Sequence, residues 1–530
     1  MSKIVLYDTT LRDGAQGEGI SFSVVDKLKI AEKLDELGVH YIEGGWPGSN
    51  PKDIEFFRAA RKLRLGHAEL VAFGSTRHPG SKPEGDANLL ALAQAGVKIA
   101  TLVGKSSALQ VKQTLETTLR ENLSMISDSI RYLRAKGLRV FFDAEHFFDG
   151  FKANRKYALE TIKVAAAAGA EAVVLCDTNG GSLSEDIVAG FKAAMAAVRV
   201  TVGIHTHNDS ELAVANTLVA VSVGATQVQG TINGYGERCG NANLCSIIPA
   251  LKLKMGINCV SDAQLAELTE VSRYVSEMAN LPPSAFLPYV GSSAFSHKGG
   301  LHVSALGKWD ASYQHIDPAK VGNIKRVLVS ELSGKANIVQ KAKELGLVLP
   351  SGDKEIRKLL DRIKLLESQG FQYDHAEGSF ELLVRRALPD YKPPFELVDF
   401  MVMVEKRRRQ PTQNNHEETL AEASVKVKVG GEILHTVAEG NGPVNALDNA
   451  LRKALLQYYP DLSRIELVDY KVRILEESVG TAAQVRVLIE STDGVSSWHT
   501  VGSSTNIIEA SWLALVDSLE YWLVRQKKRR

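Results

Sequence analysis

Cysteine is scarce. The four in 530 residues (Cys176, Cys239, Cys245 and Cys259) are too few for a disulfide scaffold. They form no Cys-x-x-Cys pair, which excludes a zinc ribbon. An excess of charge of one sign is also lacking. The 63 Lys+Arg stand against 62 Asp+Glu, a formal net charge of +1, whereas a dedicated nucleic-acid binder carries a large basic excess. The two basic runs, Lys406–Arg409 and Lys527–Arg530, read as a solvated linker and a solvated terminus. No apolar run approaches the roughly 18 residues of a membrane span. The N-terminus, Met1-Ser-Lys-Ile-Val-Leu-Tyr-Asp8, reads as a short strand rather than a signal peptide. Neither nucleic acid nor membrane is expected as a partner, and the expected compartment is the cytoplasm. A phosphate-cradling motif is missing too: the glycine-rich stretch Asn233–Asn241 lacks Gly-x-Gly-x-x-Gly spacing.

What is present is an average globular composition, 44% hydrophobic and 24% charged, in a chain about twice the roughly 250 residues of one α/β barrel. The first half alternates β-branched apolar runs with amphipathic stretches. Eight strands are expected, at Ile4–Tyr7, Val39–Glu43, Glu69–Phe73, Lys98–Val103, Arg139–Asp143, Ala172–Cys176, Val200–Ile204 and Thr226–Gln229. Helical segments such as Val24–Leu37 and Ser124–Ala135 lie between them, and an eighth helix is expected near Asn243–Met255. Strict alternation implies parallel strands with right-handed crossovers, and eight units imply a closed (β/α)8 TIM barrel over residues 1–260. Residues 261–394 read as helical linker subdomains: helices at Ser261–Asn280, Ser333–Gly346 and Asp353–Gln369, and no strand pattern long enough for a sheet.

Residues 395–530 alternate by twos and repeat internally. Ala423–Val429 resembles Ala483–Ile489, and His435-Thr-Val437 recurs as His499-Thr-Val501. Each copy ends in a Gly-rich turn and a helix, so an α+β pseudo-repeat domain is expected. On the pattern alone it is either a dimerisation domain or a pair of units holding an effector between them.

In a barrel the site lies at the carboxyl ends of the strands. The first strand leads into Arg12-Asp13, and the seventh into His205-Thr-His207. Residues two apart on a strand share a face, so both imidazoles can aim at one point, with Asp13 closing the set. Two His and a carboxylate form a divalent-metal arrangement; Mn, Mg, Zn and Co all remain open. A lone His-x-His is more often incidental, and the barrel position of this one is what raises it. Arg12 beside such a metal suits a 2-oxo acid, its fork pairing the carboxylate while the ion polarises the ketone; a plain rim ion pair fits the spacing as well. Acids after the fifth and sixth strands, Asp143, Glu145 and Asp177, read singly as structural ion pairs.

Together, Leu11-Arg-Asp-Gly-Ala-Gln16, His205-Thr-His-Asn-Asp209 and Gly236-Glu-Arg-Cys-Gly-Asn241 resemble the metal-dependent Claisen-condensing barrel family of 2-isopropylmalate, homocitrate and citramalate synthases. The stretches Ile42–Asn50 and Asn233–Arg238 look most like the family's long citramalate synthases. The resemblance extends to its linker subdomains and C-terminal allosteric domain. It implies condensation of acetyl-CoA with pyruvate, thioester hydrolysis, a homodimer and feedback by isoleucine. It implies that Asp13, His205 and His207, with Asn241, hold the metal. Arg12 stabilises the keto oxygen, Gln16 and Thr178 contact the oxo acid, and Glu145 lies near the acetyl group. His302 (with His297 as alternative) and Tyr313 reach a partner subunit's barrel as acid/base and water-activating groups. Asp143 and His146, flanking Glu145, depart from short-chain citramalate synthases and leave the oxo-acid pocket open; Phe73 and Val103 are expected to fill it and favour pyruvate. The competing readings are a 2-isopropylmalate synthase with leucine as inhibitor and a metal-dependent acyl-CoA C–C lyase. A non-catalytic binding protein fits poorly with the Arg12, Asp13, His205 and His207 set.

Overall fold

The computed structural model describes residues 4–306, 308–328, 335–344, 346, 349, 353–373, 376–405, 420–475 and 483–529. The basic run Lys406–Arg409 lies outside them, as do the side chains of residues 527–530. The chain forms two compact units: residues 1–295 with 316–325, and 296–315 with 326–530.

The first unit is a closed eight-stranded parallel barrel in sequence order. Its strands and helices run β1 (Val5–Asp8), α1 (Val24–Glu36), β2 (Tyr41–Gly45), α2 (Pro51–Ala60), β3 (Glu69–Ser75), α3 (Ala87–Gln94), β4 (Ile99–Lys105), α4 (Ala108–Gln113), α5 (Leu119–Ala135), β5 (Arg139–Glu145), α6 (Phe147–Ala168), β6 (Ala172–Asp177), α7 (Ser184–Ala197), β7 (Thr201–Thr206), α8 (Ala213–Ser222) and β8 (Gln227–Gly230). All eight expected strands are present, and β1 closes on β8 through Val5↔Gln227 to Asp8↔Gly230. The strands are buried on both faces, which is why they read as near-continuous apolar runs. Outward-facing Leu6, Ile42, Ala72, Val173 and Ile204 pack on the helices. Inward-facing Tyr7, Val71, Ile99, Phe141 and Ala172 fill the barrel beneath its mouth. The helices start on side-chain caps: Ser23 and Asp26 form a reciprocal capping box on α1, and Thr118 caps α5. The expected eighth helix is α9 (Leu244–Pro249), which continues as a π-helical stretch over Ala250–Lys254. The helix expected over Ser261–Asn280 is two, α10 (Asp262–Ala266) and α11 (Leu268–Met278).

The second unit begins with β9 (Ser296–His297), α12 (Gly300–Leu306) and β10 (Arg326–Val327). The first and last form a two-residue parallel pair in a region where no sheet was expected. Helices α13 (Lys335–Glu344), α14 (Asp353–Ser368) and α15 (Glu377–Arg386) follow. Then come two antiparallel three-stranded sheets, each followed by a helix: β11 (Glu396–Glu405), β12 (Leu420–Val429), β13 (Glu432–Gly440) and α16 (Pro443–Leu455), then β14 (Glu466–Ile474), β15 (Val485–Thr492), β16 (Ser497–Ser504) and α17 (Ile507–Arg529). The repeat is real, and its register differs from the sequence match. Phe400, Val425 and Thr436 stand side by side, as do Tyr470, Ile489 and Thr500, so Val425 corresponds to Ile489 rather than to Val485. The hydroxyls of Thr436 and Thr500 each donate to a helix carbonyl, of Ala450 and Ala514, at 2.7 Å. Both first strands carry the same Glu-Leu-Val-Asp segment, and each shifts register at it, between Leu397 and Asp399 and between Leu467 and Asp469.

Among the described residues no helix is long and apolar enough to cross a membrane.

Candidate active site

A cavity of about 390 Å³ opens at the carboxyl ends of the barrel strands. Arg12, Asp13, Gln16, Glu145, Thr178, His205 and His207 all line it. Seven residues spread over 196 positions of sequence thus share one wall-to-wall space, and the barrel's closure is what gathers them.

Asp13, His205 and His207 present ligand atoms all within 4.8 Å of one another, the one such histidine and acid cluster among the described residues. His205 Nε2 lies 3.3 Å from His207 Nε2 and 3.3 Å from Asp13 Oδ2. Gln229 fixes the tautomer: its Nε2 donates to Asp143, so its Oε1 accepts from His205 Nδ1 at 2.9 Å. That leaves the His205 Nε2 lone pair bare and aimed at the other two groups. Burial lowers the pKa of His205, and burial with the neighbouring His205 takes His207 down to about 4. Both rings are therefore neutral at pH 7, the form that ligates. Burial works against ionised Asp13, but the Arg12 guanidinium beside it, with other nearby groups, holds the carboxyl below its ordinary value. Asn241 is pressed against His207 by a backbone bridge, hydrogen-bonds Asp13, and has a buried Oδ1 with no partner. Gly240, at φ +88°, makes the turn that delivers it; a Cβ there would collide with the Gly234 carbonyl. Neutral imidazoles, an ionised carboxylate and an orphaned amide oxygen around one point fit a divalent cation.

Arg12 is fixed on three sides. Its Nε donates to Glu43 Oε1 at 2.6 Å, its Nη1 lies 3.3 Å from Asp13, and its guanidinium sits 3.9 Å over the Phe73 ring. Trp46 packs edge-on against Phe73. Glu43 was not singled out by sequence, although an acid on the inward face of a barrel strand was a usable signal. It is fully buried, and its other oxygen accepts from Tyr7, whose hydroxyl also pairs with Thr101. Thr178 Oγ1 accepts from the His146 backbone N–H at 2.8 Å, which leaves its own O–H free to donate into the cavity. Lys105, the last residue of β4, was also missed; its ammonium lies 2.7 Å from Glu145 Oε2.

Of the two residues flanking Glu145, Asp143 reaches the cavity, while His146 faces Asp149. Burial, then the charge of Glu43, push the Asp143 carboxyl well above its ordinary value. Phe73 and Val103 line the cavity as expected. Asp177 turns away from the cavity and accepts from the Ser182 N–H and hydroxyl, a hydrogen-bonding role in place of the structural ion pair read for it. His302 and Tyr313 belong to the second unit, where they are exposed and stack with ring centroids 4.1 Å apart. His297 is in β9 of the same unit.

Residues 3–275 match the HMGL-like family model, 289–370 the homocitrate synthase post-HMGL domain-like model, and 374–523 the LeuA allosteric (dimerisation) domain. Over 528 residues the chain is 54% identical to the (R)-citramalate synthase of Geobacter sulfurreducens, covering 100% of this chain and 99% of that one. The chain belongs to the (R)-citramalate synthase family. The family's Aquifex aeolicus member is 50% identical over 99% of each chain, and its Synechocystis member 51% identical over 98% of this chain and 96% of that one. A solved hydroxymethylglutaryl-CoA lyase from Pseudomonas aeruginosa is 19% identical, covering 53% of this chain and 95% of that one, with a TM-score of 0.46. With its family, this chain is an acyltransferase that converts the acyl group into alkyl on transfer.

Proposed function

We propose that the chain condenses acetyl-CoA with pyruvate and hydrolyses the resulting thioester to (R)-citramalate and CoA, in the cytoplasm and as a homodimer. The observation that carries the reading is one cavity holding the Asp13, His205 and His207 cluster, the pinned Arg12, and the Glu145 and Thr178 groups. A divalent metal held by Asp13, His205 and His207, with Asn241 beside them, would polarise the ketone of the oxo acid. Arg12 needs no reorganisation to meet the charge that grows on the keto oxygen, because Glu43, Asp13 and Phe73 already hold it. Thr178 donates to the oxo-acid carboxylate, with Gln16 alongside. Glu145 takes the methyl proton of acetyl-CoA. His302 and Tyr313 serve the later acid/base and hydrolytic steps in the barrel of a second copy. Functionally the chain divides into barrel (1–260), linker (261–394) and effector domain (395–530), with isoleucine as the effector.

Free-thiol release from acetyl-CoA, followed with a divalent metal and each 2-oxo acid in turn, tests the reading. Release is expected with pyruvate and should be lost on His207→Ala; release mainly with 2-oxoisovalerate would make the enzyme a 2-isopropylmalate synthase instead. Isoleucine added to the full chain should slow release more than leucine does.

A further inference from the structure

Four cationic side chains line the cavity apart from its histidines: Arg12, Arg77, Lys105 and Arg238. Three are held by groups that fix them. Arg12 is bound by Glu43 and Asp13. Arg77 is bound by Glu121 and Asp128, which anchor it to α5. Arg238 is bound by Asp209 and the Thr178 carbonyl, tying the loop after β8 to those after β6 and β7. Lys105 differs. Its one ion-pair partner among the described residues is Glu145, a carboxylate that itself faces the cavity, at 2.7 Å. The two residues stand directly opposite one another in the β4–β5 ladder. The backbone beneath them is anchored: Asn122 Nδ2 donates to the Lys105 carbonyl, and the Ser106 N–H donates to the Glu145 carbonyl at 2.8 Å. A rigid base thus carries a flexible ammonium, 17% exposed at its side chain, next to the acid.

The chemistry assigned to Glu145 creates a problem that this pair solves. As a thioester methyl group gives its proton to the Glu145 carboxylate, the C–H electron pair forms the enolate double bond and the carbonyl pair moves onto the thioester oxygen. Negative charge leaves Glu145 and appears a few ångströms away inside the cavity, where charge screened less than in bulk water is costly if uncompensated. We propose that Lys105 is a catalytic residue whose ammonium follows that charge from Glu145 to the thioester oxygen of the acyl donor. The charge of the trio is the same before and after: carboxylate with ammonium becomes carboxylic acid with ammonium and enolate. The enolate carbon then bonds to the ketone carbon of the oxo acid, and the ketone pair moves onto its oxygen beside Arg12. The proposal rests on the condensing reading above and adds to it the group that stabilises the enolate half of the reaction.

The test uses the full-length enzyme with its divalent metal, comparing Lys105→Gln and Lys105→Arg with wild type by thiol release. Each is run with acetyl-CoA and with acetyl-CoA deuterated at the methyl group. Lys105→Gln is expected to lower kcat by about 10²–10³-fold, the range for loss of one oxyanion donor. It should leave the KM for the oxo acid within threefold and raise the deuterium isotope effect, because enolisation becomes the slow step. Lys105→Arg, which keeps the charge, should recover at least tenfold of the loss. A Lys105→Gln enzyme whose kcat stays within threefold of wild type overturns the proposal, as does a loss without any rise in the isotope effect, the pattern of a purely structural ion pair. Wild-type enzyme silent with every 2-oxo acid would overturn the condensing reading and this proposal together; an active wild type with an unimpaired Lys105→Gln overturns this proposal alone.

Discussion

Phe73 shows how one side chain can carry two jobs. It was expected only to bound the pocket for the oxo acid's alkyl group, yet the guanidinium of Arg12 rests on its face. Truncating it removes a cation–π platform as well as pocket volume. Phe73→Ala is therefore expected to lose kcat with every oxo acid. Val103, an aliphatic side chain with no ring to carry a cation, lines the same cavity. Val103→Ala should leave kcat with pyruvate within threefold and raise kcat/KM for 2-oxobutyrate relative to pyruvate about tenfold, the range for one methylene in an apolar pocket. An unchanged ratio would remove Val103 from the specificity wall. Asp8 gives a stability prediction. Burial raises its carboxyl to about 7 against the pull of its bonds from Thr10. The unfolded chain gives up that proton near pH 4 and the folded chain only near 7. Between those values the folded state binds more protons, and stability falls as pH rises. Asp8→Asn, which mimics the neutral acid, should flatten this part of the denaturation profile and gain up to about 4 kcal/mol at pH 8.

At the scale of elements, the turn leaving β2 positions one side of the site. Lys27 of α1 and Asp53 of α2 form a buried ion pair; Lys27 also donates to the Gly44 carbonyl, and Asp53 accepts from the Trp46 N–H. A Cβ on Gly45 would occupy the space of the Asp53 carboxylate. Gly45→Ala should therefore expel Asp53, leave Lys27 buried without its counter-charge and cost about 3–5 kcal/mol, read as a lower denaturant midpoint. The barrel was legible because burial on both faces writes each strand as an apolar run, and because parallel strands force a helix between them. The His205 and His207 pair was legible because period two is a local rule. Glu43, Gln229 and Lys105 were not: each matters through a partner on another strand, and only barrel closure makes those partners neighbours. The repeat was found through its second and third strands and missed in its first. Phe395–Val404 was legible as a strand, but its Glu-Leu-Val-Asp match to Glu466–Asp469 shows its meaning only in the structure, where both copies shift register at that segment.

For the whole molecule, linear reading meets a different limit. The stretch 316–325 returns to the first unit although the residues on both sides of it belong to the second. Thr269 of α11 donates to the Val321 carbonyl, Asn323 donates to the carbonyls of Tyr289 and Gly291, and Val321 is fully buried among barrel-unit side chains. Nothing in composition marks such a return, because a buried valine and a turn asparagine look alike in either unit. Overall charge balance, in contrast, was informative from the start. A chain at +1 carries no net basic excess, and the cationic groups on its cavity wall are paired locally with acids. The central claim is that this cavity joins a two-carbon acyl group to pyruvate. Its most direct test is product analysis with ¹³C-labelled acetyl-CoA, the full chain, a divalent metal and equal pyruvate and 2-oxoisovalerate in one vessel. The account predicts labelled (R)-citramalate in excess over labelled 2-isopropylmalate, and neither product after the metal is chelated. Labelled 2-isopropylmalate as the main product, or label joined to an oxo acid at an undiminished rate in chelator, would contradict it.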